Sequence, residues 1–332
     1  MSDKTFKAMV VREGPEKSFN REIEERTLSD LPEGDVLIRV THSSLNYKDA
    51  LSAIGNRGVT RSYPHTPGID AAGEVAESDA ADFKPGDRVL VTGYDLGMNT
   101  AGGFGQYIRV PADWVVPIPE DLNAEQSMIY GTAGITAALS VYHLENRGIA
   151  PEGGPILVTG ATGGVGSLAV SFLAKAGYEV VGVSGKSDAE SFLKGLGAAS
   201  VIGRDEALDD SGRPLLKAKW AGVVDTVGGD MLATAIKMTK LHGSVTCCGN
   251  VASADLPLTV YPFILRGISL LGIDSQNCPM DVRRRLWKKM AGEWRIDGLD
   301  RLKQNVPLSE LSGHIDEILA GKKKGRTVVE LA

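Results

Sequence analysis

A strand, a glycine-rich loop and a helix follow one another between residues 155 and 177. The strand-like "PILVTG" leads into "ATGGVG", and "VGSLAVSFLAKAG" has the apolar periodicity of a helix that ends on glycine. The loop follows the pattern G-x-G-x-x-G, with Ala161 in the first position and Gly163 and Gly166 in the other two. Gly163 lets the backbone approach a pyrophosphate, Gly166 lets the helix pack on the strand, and the helix N-terminus offers N–H groups to phosphate oxygens. The loop therefore predicts a dinucleotide site, and a plain glycine-rich turn is the alternative.

The order of segments divides the chain into two parts. Before residue 124, short runs with alternating apolar and polar residues are separated by Gly and Pro, which is typical of an antiparallel, barrel-like assembly. These runs are residues 7–11, 35–45, 71–77, 86–93 and 105–110. From residue 124 strands alternate with helices, which predicts a parallel sheet in a doubly wound α/β domain. After about residue 275 the chain turns helical, and it ends with the strand-like "GRTVVEL" (325–331), which we expect to rejoin the first domain.

These patterns predict an α/β protein with a discontinuous outer domain. Residues 1–123 and 275–332 form the β-rich domain, and residues 124–274 form the nucleotide domain inserted in it. A chain of 332 residues is long enough for two packed cores.

The composition argues against several other classes of protein. A formal net charge of −6 argues against nucleic acid as a partner, because such binding depends on neutralising phosphates. The N-terminal "MSDKTFKAMVVREG" lacks a secretion signal, and the stretch 127–144 carries Gly, Thr, Ser and His, which favours a buried helix over a membrane span. Cys247, Cys248 and Cys278 form no disulfide framework, which fits a reducing cytosol. We therefore expect a cytoplasmic protein without membrane or nucleic-acid partners.

The segment after the second strand of the nucleotide domain indicates which dinucleotide binds. Where NAD-binding folds have a carboxylate that receives the ribose hydroxyls, this chain has Ser184, Gly185 and Lys186. A carboxylate there would repel a 2′-phosphate by roughly 4 kcal/mol per charge pair at about 4 Å and an effective dielectric constant near 20. Ser184 and the Gly185 N–H can donate to phosphate oxygens, and Lys186 and Arg204 add positive charge. We therefore predict NADPH as the cofactor, with an ordinary surface lysine as the alternative for Lys186.

The two-domain layout resembles the medium-chain dehydrogenases/reductases, which have a GroES-like catalytic domain at both chain ends and a Rossmann domain between them. Their zinc-using members have an early catalytic Cys and a "GHE" motif, where this chain has "SSLNYKDAL" and Gly68-Ile69-Asp70. The cysteines all lie beyond residue 246, and the histidines are scattered at positions 42, 65, 143, 242 and 314. No set of three or four zinc ligands is visible, so we predict chemistry without a metal.

Within the zinc-free branch the chain is identified as a member of the acrylyl-CoA reductase family, also known as YhdH-type quinone oxidoreductases. The resemblance extends over essentially the whole chain, in "LNYKDAL", "PGIDAAGEV", "GDRVLVTGYDLG", "GGFGQYIRVPADWVVPIP", "GTAGITAALSV", "VTGATGGVGS", "VVGVSGK", "VDTVGG", "CCGN" and "GRTVVEL". It implies cofactor contacts by Tyr47, Thr162, Gly163, Gly164, Val165, Ser184, Gly185, Lys186, Arg204, Cys248, Gly249, Ile273, Asp274 and Arg326. The family mostly has Arg in place of Lys186, so the charge is kept but bidentate phosphate binding is lost. Relatives pair through the strand around "GISLLGID", which implies a homodimer.

The resemblance also implies a reaction. Hydride from NADPH adds to the β-carbon of acrylyl-CoA, and protonation of the α-carbon gives propanoyl-CoA. Because negative charge grows on the thioester oxygen, a hydrogen-bond donor aimed at it lowers the barrier. Tyr47 is the first candidate donor, with Asn46 beside it and Tyr63 as a second tyrosine, and a core tyrosine is the alternative for Tyr47. Lys48 and Asp49 are either catalytic or a salt bridge that fixes the loop.

The substrate and the activity have alternatives at this level. The phosphates of an acyl-CoA substrate need cations, for which Arg283 to Arg285, Lys288 and Lys289 are the candidates, although such a run is often only a solvated helix face. A broad NADPH-dependent reductase of quinones or small enones has the same fold and cofactor site. A nucleotide-binding sensor without useful turnover is the third interpretation.

Overall fold

The structure, a computed structural model, describes residues 4–331. The strands are, in chain order, β1 (Thr5–Glu13), β2 (Phe19–Thr27), β3 (Val36–Leu45), β4 (Asp70–Ser78), β5 (Arg88–Thr92), β6 (Tyr107–Val110), β7 (Val116–Pro117), β8 (Ile156–Val158), β9 (Val180–Val183), β10 (Ser200–Ile202), β11 (Trp220–Asp225), β12 (Thr239–Cys247), β13 (Ser269–Gly272), β14 (Lys303–Pro307) and β15 (Arg326–Glu330). The α-helices are α1 (Tyr47–Ala53), α2 (Ala124–Asn146), α3 (Gly164–Lys175), α4 (Ala189–Gly195), α5 (Gly229–Lys237), α6 (Tyr261–Arg266), α7 (Met280–Ala291) and α8 (Leu311–Leu319). Within residues 4–331 no helix has the length and apolarity needed to cross a bilayer.

The first of two compact units runs up to Thr132 and includes Gln276–Ala291 and the chain from Gly298 onward. Its main sheet has the strand order β14-β15-β3-β4-β5-β7, with β6 paired to β3, while β1 and β2 form a separate antiparallel pair. Val36, Ile38 and Val40, which are alternate residues of β3, are buried in the core that one face of this sheet covers. The last strand, β15, pairs antiparallel with β3, which is the return to the first domain that the sequence predicts.

The second unit contains Ala133–Ser275 and Gly292–Asp297. Its six strands are all parallel and have the order β10-β9-β8-β11-β12-β13. The strands β9 and β11 are buried along their whole length, as expected for a parallel sheet that is covered on both faces. The chain runs outward from β8 to β10 on one side and from β11 to β13 on the other. The reversal between β8 and β11 is the point where doubly wound sheets bind dinucleotides, beyond the carboxyl ends of the strands.

The division between the units differs from the prediction in two places. Helix α2 is broken at Gly131, whose φ of 51° and ψ of −153° lie outside the helical region, and the first boundary falls just after it, at Thr132, instead of at residue 123. The second difference is that Gly292–Asp297 belongs to the second unit. There Trp294 stacks on Phe172 with ring centroids 5.9 Å apart, and Asp297 pairs with Lys175 at 2.8 Å.

Candidate functional site

The glycine loop after β8 has the close approaches that its sequence predicts. A Cβ added to Gly166 would lie 2.3 Å from the Gly160 carbonyl oxygen, so the first turn of α3 packs against the loop backbone without room for a side chain. Gly160 itself has a φ of +57°, which favours glycine. Gly163 precedes α3, and no side chain caps the helix N-terminus there. The first N–H groups of α3 are therefore not occupied by a capping side chain and can receive phosphate oxygens.

The predicted cofactor residues of the second unit all follow strands of its parallel sheet, at the carboxyl edge. They are Thr162 to Val165 after β8, Ser184 to Lys186 after β9, Arg204 after β10, Cys248 and Gly249 after β12, and Ile273 and Asp274 after β13. Because parallel strands end at one edge of a sheet, the fold brings these segments to a common edge. The loops are also joined there by backbone bonds, since Ala161 N donates to Val183 O and Ile273 N donates to Cys247 O.

The segment after β9 brings the predicted phosphate-binding groups together. A Cβ added to Gly185 would lie 3.1 Å from Nε of Arg204, so the guanidinium stem lies against this glycine. Lys186 N donates to Ser184 Oγ at 3.2 Å, and Ser184 N donates to Ile202 O at 3.1 Å, which fixes the segment to β10. Arg204 is exposed, and Ser184 and Lys186 are half-buried. Two cations and a hydroxyl therefore occupy the place where NAD-binding folds have a carboxylate.

A buried aspartate behind these loops was missed by the sequence analysis. Asp225, at the end of β11, accepts from Thr159 Oγ1 at 2.7 Å and from Gly228 N at 2.8 Å. Burial raises the pKa of the Asp225 carboxyl. Its backbone oxygen accepts from Cys248 N at 3.1 Å. The residue therefore ties the loops after β8, β11 and β12 together, and its position in the block "VDTVGG" was the available signal.

In the first unit, Tyr47 is the first residue of α1 and is half-buried. Asn46 caps the helix in an extended conformation, with φ −121° and ψ 159°. Within residues 4–331 no protein group is hydrogen-bonded to the Tyr47 hydroxyl. The hydroxyl is therefore available to a bound molecule.

Asn46 and Arg326 lie instead in a buried polar network around Asp70, which corrects their predicted roles. Asn46 Nδ2 donates to Asp70 Oδ2 at 2.7 Å, and Asn46 Oδ1 accepts from Arg326 Nη1 at 3.2 Å. The Arg326 side chain is 3% exposed, and it also donates to Ile129 O at 2.9 Å and Ser44 Oγ at 2.8 Å. Both side chains are committed to the interior, so we assign neither proton donation to Asn46 nor cofactor contact to Arg326.

The same network explains the break in α2. Thr132 N donates to the Asp70 carboxylate at 2.9 and 3.0 Å, and Thr132 Oγ1 donates to it at 2.6 Å. Arg326 binds the carbonyl of Ile129 on the other side of Gly131. An anion thus faces the N-terminus of one helical segment and a cation faces the C-terminus of the other, as the helix dipoles favour.

Tyr63 also has a structural role in place of the predicted catalytic one. Its hydroxyl donates to the carbonyl of Ser52 at 2.5 Å, and its ring packs on Phe19 with centroids 4.9 Å apart. Burial raises the pKa of the Tyr63 hydroxyl. Its hydrogen-bond donor is in use within the fold, so we do not assign Tyr63 as a proton donor.

Lys48 and Asp49 do not form the salt bridge that was one of their two predicted roles. Lys48 Nζ donates to Gln276 Oε1 at 2.7 Å. The Asp49 carboxylate accepts from Asn46 N and from Ile69 N, both at 2.8 Å. Burial and the neighbouring Asp70 raise the pKa of Asp49 to about 7.

The basic run on α7 divides between interior and surface. Arg283 is 1% exposed, and its Nη1 donates to Thr92 O at 2.6 Å while its Nη2 donates to Gln276 O at 3.0 Å. This removes Arg283 from the predicted phosphate-binding set. The other members, Arg284, Arg285, Lys288 and Lys289, are exposed or half-buried.

Metal-ligating side chains do not converge in the part of the chain that the structure describes. Among residues 4–331 no group of three or more His, Cys, Asp and Glu residues has a geometry that could hold a metal ion. At the position of the "GHE" motif, Asp70 is bonded to Ser44, Asn46 and Thr132.

Two family descriptions match this chain and confirm the predicted fold class. The alcohol dehydrogenase GroES-like domain matches residues 32–120, and the zinc-binding dehydrogenase family matches residues 164–292. The first match lies in the β-rich unit and the second begins at the glycine loop. The predicted combination of a GroES-like domain with a Rossmann domain is thereby confirmed.

Similar proteins match over nearly the full chain. Acrylyl-CoA reductase AcuI of Ruegeria pomeroyi is 44% identical over 98% of this chain and 99% of its own length. YhfP of Bacillus subtilis, whose name carries a provisional quinone oxidoreductase assignment, is 47% identical over 91% of this chain and 92% of its own length.

Solved structures agree with these matches. The structure of Escherichia coli K-12 YhdH with bound NADPH has a TM-score of 0.95 and 41% identity, covering 98% of this chain and 100% of that one. The structure of Bacillus subtilis yhfP with NAD bound has a TM-score of 0.95 and 44% identity, covering 99% and 100%. Identity of this extent over nearly the whole length shows that the chain belongs to the acrylyl-CoA reductase (AcuI/YhdH-type) family of the medium-chain dehydrogenases/reductases.

Proposed function

We propose that this protein is an NADPH-dependent oxidoreductase that reduces the C=C bond of acrylyl-CoA to give propanoyl-CoA, without a metal. The observation that carries the proposal is the segment after β9, where Arg204 lies against Gly185 and the first three residues after the strand, Ser184 to Lys186, include no carboxylate. The 44% identity to AcuI over 98% of the chain supports the choice of substrate.

The residues of the second unit fit NADPH. The uncapped N-terminus of α3 suits the pyrophosphate, and Gly166 keeps the helix close to the loop. Ser184, Lys186 and Arg204 suit the 2′-phosphate, because a dianion gains both hydrogen bonds and charge neutralisation there. Because the yhfP structure contains NAD, the preference of this protein for NADPH over NADH should be measured directly.

Bound NADPH supplies the hydride that adds to the β-carbon of the thioester. The chain must then stabilise the negative charge on the thioester oxygen and deliver one proton to the α-carbon. Tyr47 suits both tasks, because its hydroxyl has no hydrogen-bond partner among residues 4–331 and a phenol O–H is a hydrogen-bond donor. In the proposed reaction Tyr47 gives its proton to the α-carbon and regains one from water, so that one hydride and one proton add across the double bond.

The exposed cations of α7 are proposed to bind the phosphates of coenzyme A. Arg284 and Lys288 lie one helical turn apart and are both exposed. Helix α7 is tied to the Tyr47 region, because Arg283 donates to Gln276 O and Lys48 donates to Gln276 Oε1. The exposed cations therefore lie on a helix that is connected, through hydrogen bonds to Gln276, with Lys48 near the start of α1.

A direct assay tests the proposal. NADPH oxidation is measured with acrylyl-CoA, crotonyl-CoA and a simple quinone as acceptors. We expect kcat/KM for acrylyl-CoA to exceed that for the quinone by about tenfold or more, a difference of roughly 1.4 kcal/mol in transition-state stabilisation. Comparable rates with the quinone would favour a broad quinone and enone reductase, the activity that the name of YhfP suggests. Binding of NADPH without oxidation by any acceptor would favour a sensor.

We further propose a homodimer formed through the open edge of β13. This strand ends the parallel sheet, and the adjacent α6 exposes Ile264 (67%) and Leu265 (59%). An exposed strand edge beside an apolar patch is a typical site of self-association. The cytoplasm is the proposed compartment, because none of Cys247, Cys248 and Cys278 forms a disulfide.

A further inference from the structure

Asp49 connects two separate segments of the first unit through its carboxylate. Its Oδ2 accepts the N–H of Asn46, at the start of α1, and its Oδ1 accepts the N–H of Ile69, in the turn before β4. Both distances are 2.8 Å, and the side chain is fully buried. Each carboxylate oxygen therefore satisfies a backbone donor that would otherwise be buried without a partner.

Tyr47 lies within the turn that the hydrogen bond from Asn46 N to Asp49 closes. The bond from Asn46 N to the Asp49 carboxylate spans the first turn of α1, and Tyr47 is the first residue of that turn. Helix α1 has seven residues, and so short a helix is not stable without tertiary bonds. The bond to Ile69 anchors the same turn to the backbone beside β4. The direction of the Tyr47 side chain therefore depends on both bonds.

We propose that the Asp49 carboxylate is the group that positions Tyr47 for the reaction, through the two backbone N–H groups that it accepts. This inference rests on the proposed function, because it acts through the role of Tyr47 given above. Asp49 touches neither substrate nor cofactor in this scheme, so it is a positioning residue.

The charge state of Asp49 decides how strongly both bonds are made. An ionised carboxylate accepts two charge-assisted N–H bonds, whereas in a protonated carboxyl the oxygen that carries the proton is the weaker acceptor, so one of the two bonds is weakened. The charged groups that face Asp49 are Asp70 from β4 and Arg326 from β15. Burial and Asp70 raise the pKa of Asp49 to about 7, so the change of state falls near neutral pH.

The effects of pH on rate and on stability therefore have opposite signs. The value of kcat with acrylyl-CoA falls as the pH drops through about 7, because Tyr47 loses one of its supports. Because the pKa of Asp49 is raised above its unfolded value of about 3.9, the folded protein binds more protons between these values. The Asp49 contribution to stability is thus lost as the pH rises from about 4 to about 7.

The substitution Asp49→Asn tests the proposal. The amide keeps one acceptor oxygen but turns an NH2 group towards the other N–H, which imitates the protonated acid without titrating. We expect kcat to fall about tenfold and the acid limb of the kcat profile near pH 7 to disappear. The control Asp113→Asn removes an exposed acid of the same unit and should keep the wild-type profile. Hydrogen–deuterium exchange at Asn46 and Ile69 reads the two bonds without turnover, and exchange should be faster in Asp49→Asn.

Each outcome decides one of the two proposals. The role of Asp49 would be overturned if Asn46 and Ile69 exchanged in Asp49→Asn at the wild-type rate. Persistence of the acid limb in Asp49→Asn would overturn it as well. If Asp49→Asn does not fold, the residual rate of Tyr47→Phe is measured against pH. The acid limb should be absent there, and its persistence would overturn the inference. Lack of NADPH oxidation by acrylyl-CoA in the wild-type protein would refute the proposed function alone, because the exchange experiment still tests the two bonds.

Discussion

The side chains that follow β9 are the ones that we propose to select between two dinucleotides. The Arg204 side chain, from Cγ to Nε, packs against Gly185, which lies between Ser184 and Lys186 in the sequence. We expect Arg204→Ala to raise KM for NADPH by about tenfold to a hundredfold, because a charge-assisted bond to phosphate contributes about 1.5–3 kcal/mol. KM for NADH should stay unchanged, since NADH lacks the 2′-phosphate.

Steady-state kinetics with both cofactors provide the measurement. The control Arg213→Ala removes an exposed arginine of the same unit and should alter neither value. The companion variant Ser184→Asp, which restores the missing carboxylate, should reverse the preference towards NADH. An equal rise of both KM values in Arg204→Ala would contradict a 2′-phosphate pocket.

Tyr47 and Tyr63 differ in the roles that we propose for their hydroxyl groups. We expect Tyr47→Phe to lower kcat with acrylyl-CoA by about a hundredfold or more, because a positioned proton donor contributes that much to a rate. Its thermal stability should be unchanged, since the lost hydroxyl has no partner in the part of the chain that the structure describes. Tyr63→Phe should do the reverse, with kcat retained and the free energy of unfolding lowered by about 1 kcal/mol, because a hydrogen bond to Ser52 O is lost. Steady-state kinetics and thermal unfolding of both variants provide the measurement. Loss of kcat in Tyr63→Phe, with kcat retained in Tyr47→Phe, would contradict the two assignments.

At the scale of elements, α7 carries one buried cation, Arg283, and exposed cations that we propose to bind the phosphates of CoA. We expect the double substitution Arg284→Glu with Lys288→Glu to raise KM for acrylyl-CoA by about tenfold, because it replaces two cations by two anions near the proposed CoA phosphates. KM for acrylyl-pantetheine, which lacks the nucleotide phosphates, should stay the same. High salt should likewise raise KM for acrylyl-CoA in the wild-type protein, because salt screens the attraction between the cations and the phosphates.

The control for α7 reverses two exposed cations elsewhere in the first unit. The double variant Lys7→Glu with Lys84→Glu has the same change in net charge and should keep both KM values. If the α7 variant keeps its affinity for acrylyl-CoA, the phosphates bind elsewhere and the basic run is only a solvated helix face.

Elements with a strong local signal could be predicted, and those that depend on distant partners could not. The glycine loop and α3 were found because strand, loop and helix are adjacent in sequence. Strand β2 was missed because "FNREIEERT" is a mostly polar sequence that pairs only with β1. The stretch 127–144 was read as one helix, whereas Asp70 and Arg326 stabilise a break at Gly131. Neither partner is near Gly131 in the sequence, so no local pattern indicates the break.

At the scale of the whole molecule, the sequence predicted which segments form the site better than it predicted the role of each residue in them. The blocks "NYKD" and "PGID" were recognised together, and the structure supplies a physical reason for the pairing. Asp49 of the first block accepts from Ile69 of the second, and Asp70 of the second accepts from Asn46 of the first. Asn46 and Arg326 are buried, whereas Tyr47 is half-buried. The burial of an individual polar side chain cannot be predicted from the spacing of residues in the sequence. This is why two interior residues were predicted as site residues.

The edge of the second unit gives the last prediction. We expect the wild-type protein to sediment as a dimer at micromolar concentration and Ile264→Glu to sediment as a monomer, because burying a carboxylate against a second apolar surface is costly. The proposed patch contains Val260, Ile264 and Leu265, which are 64%, 67% and 59% exposed beside the last strand of the sheet. Leu208→Glu, at a residue 44% exposed elsewhere in the same unit, is the control and should remain dimeric. A monomeric wild-type protein would refute the dimer, and a dimeric Ile264→Glu variant would place the interface on another surface.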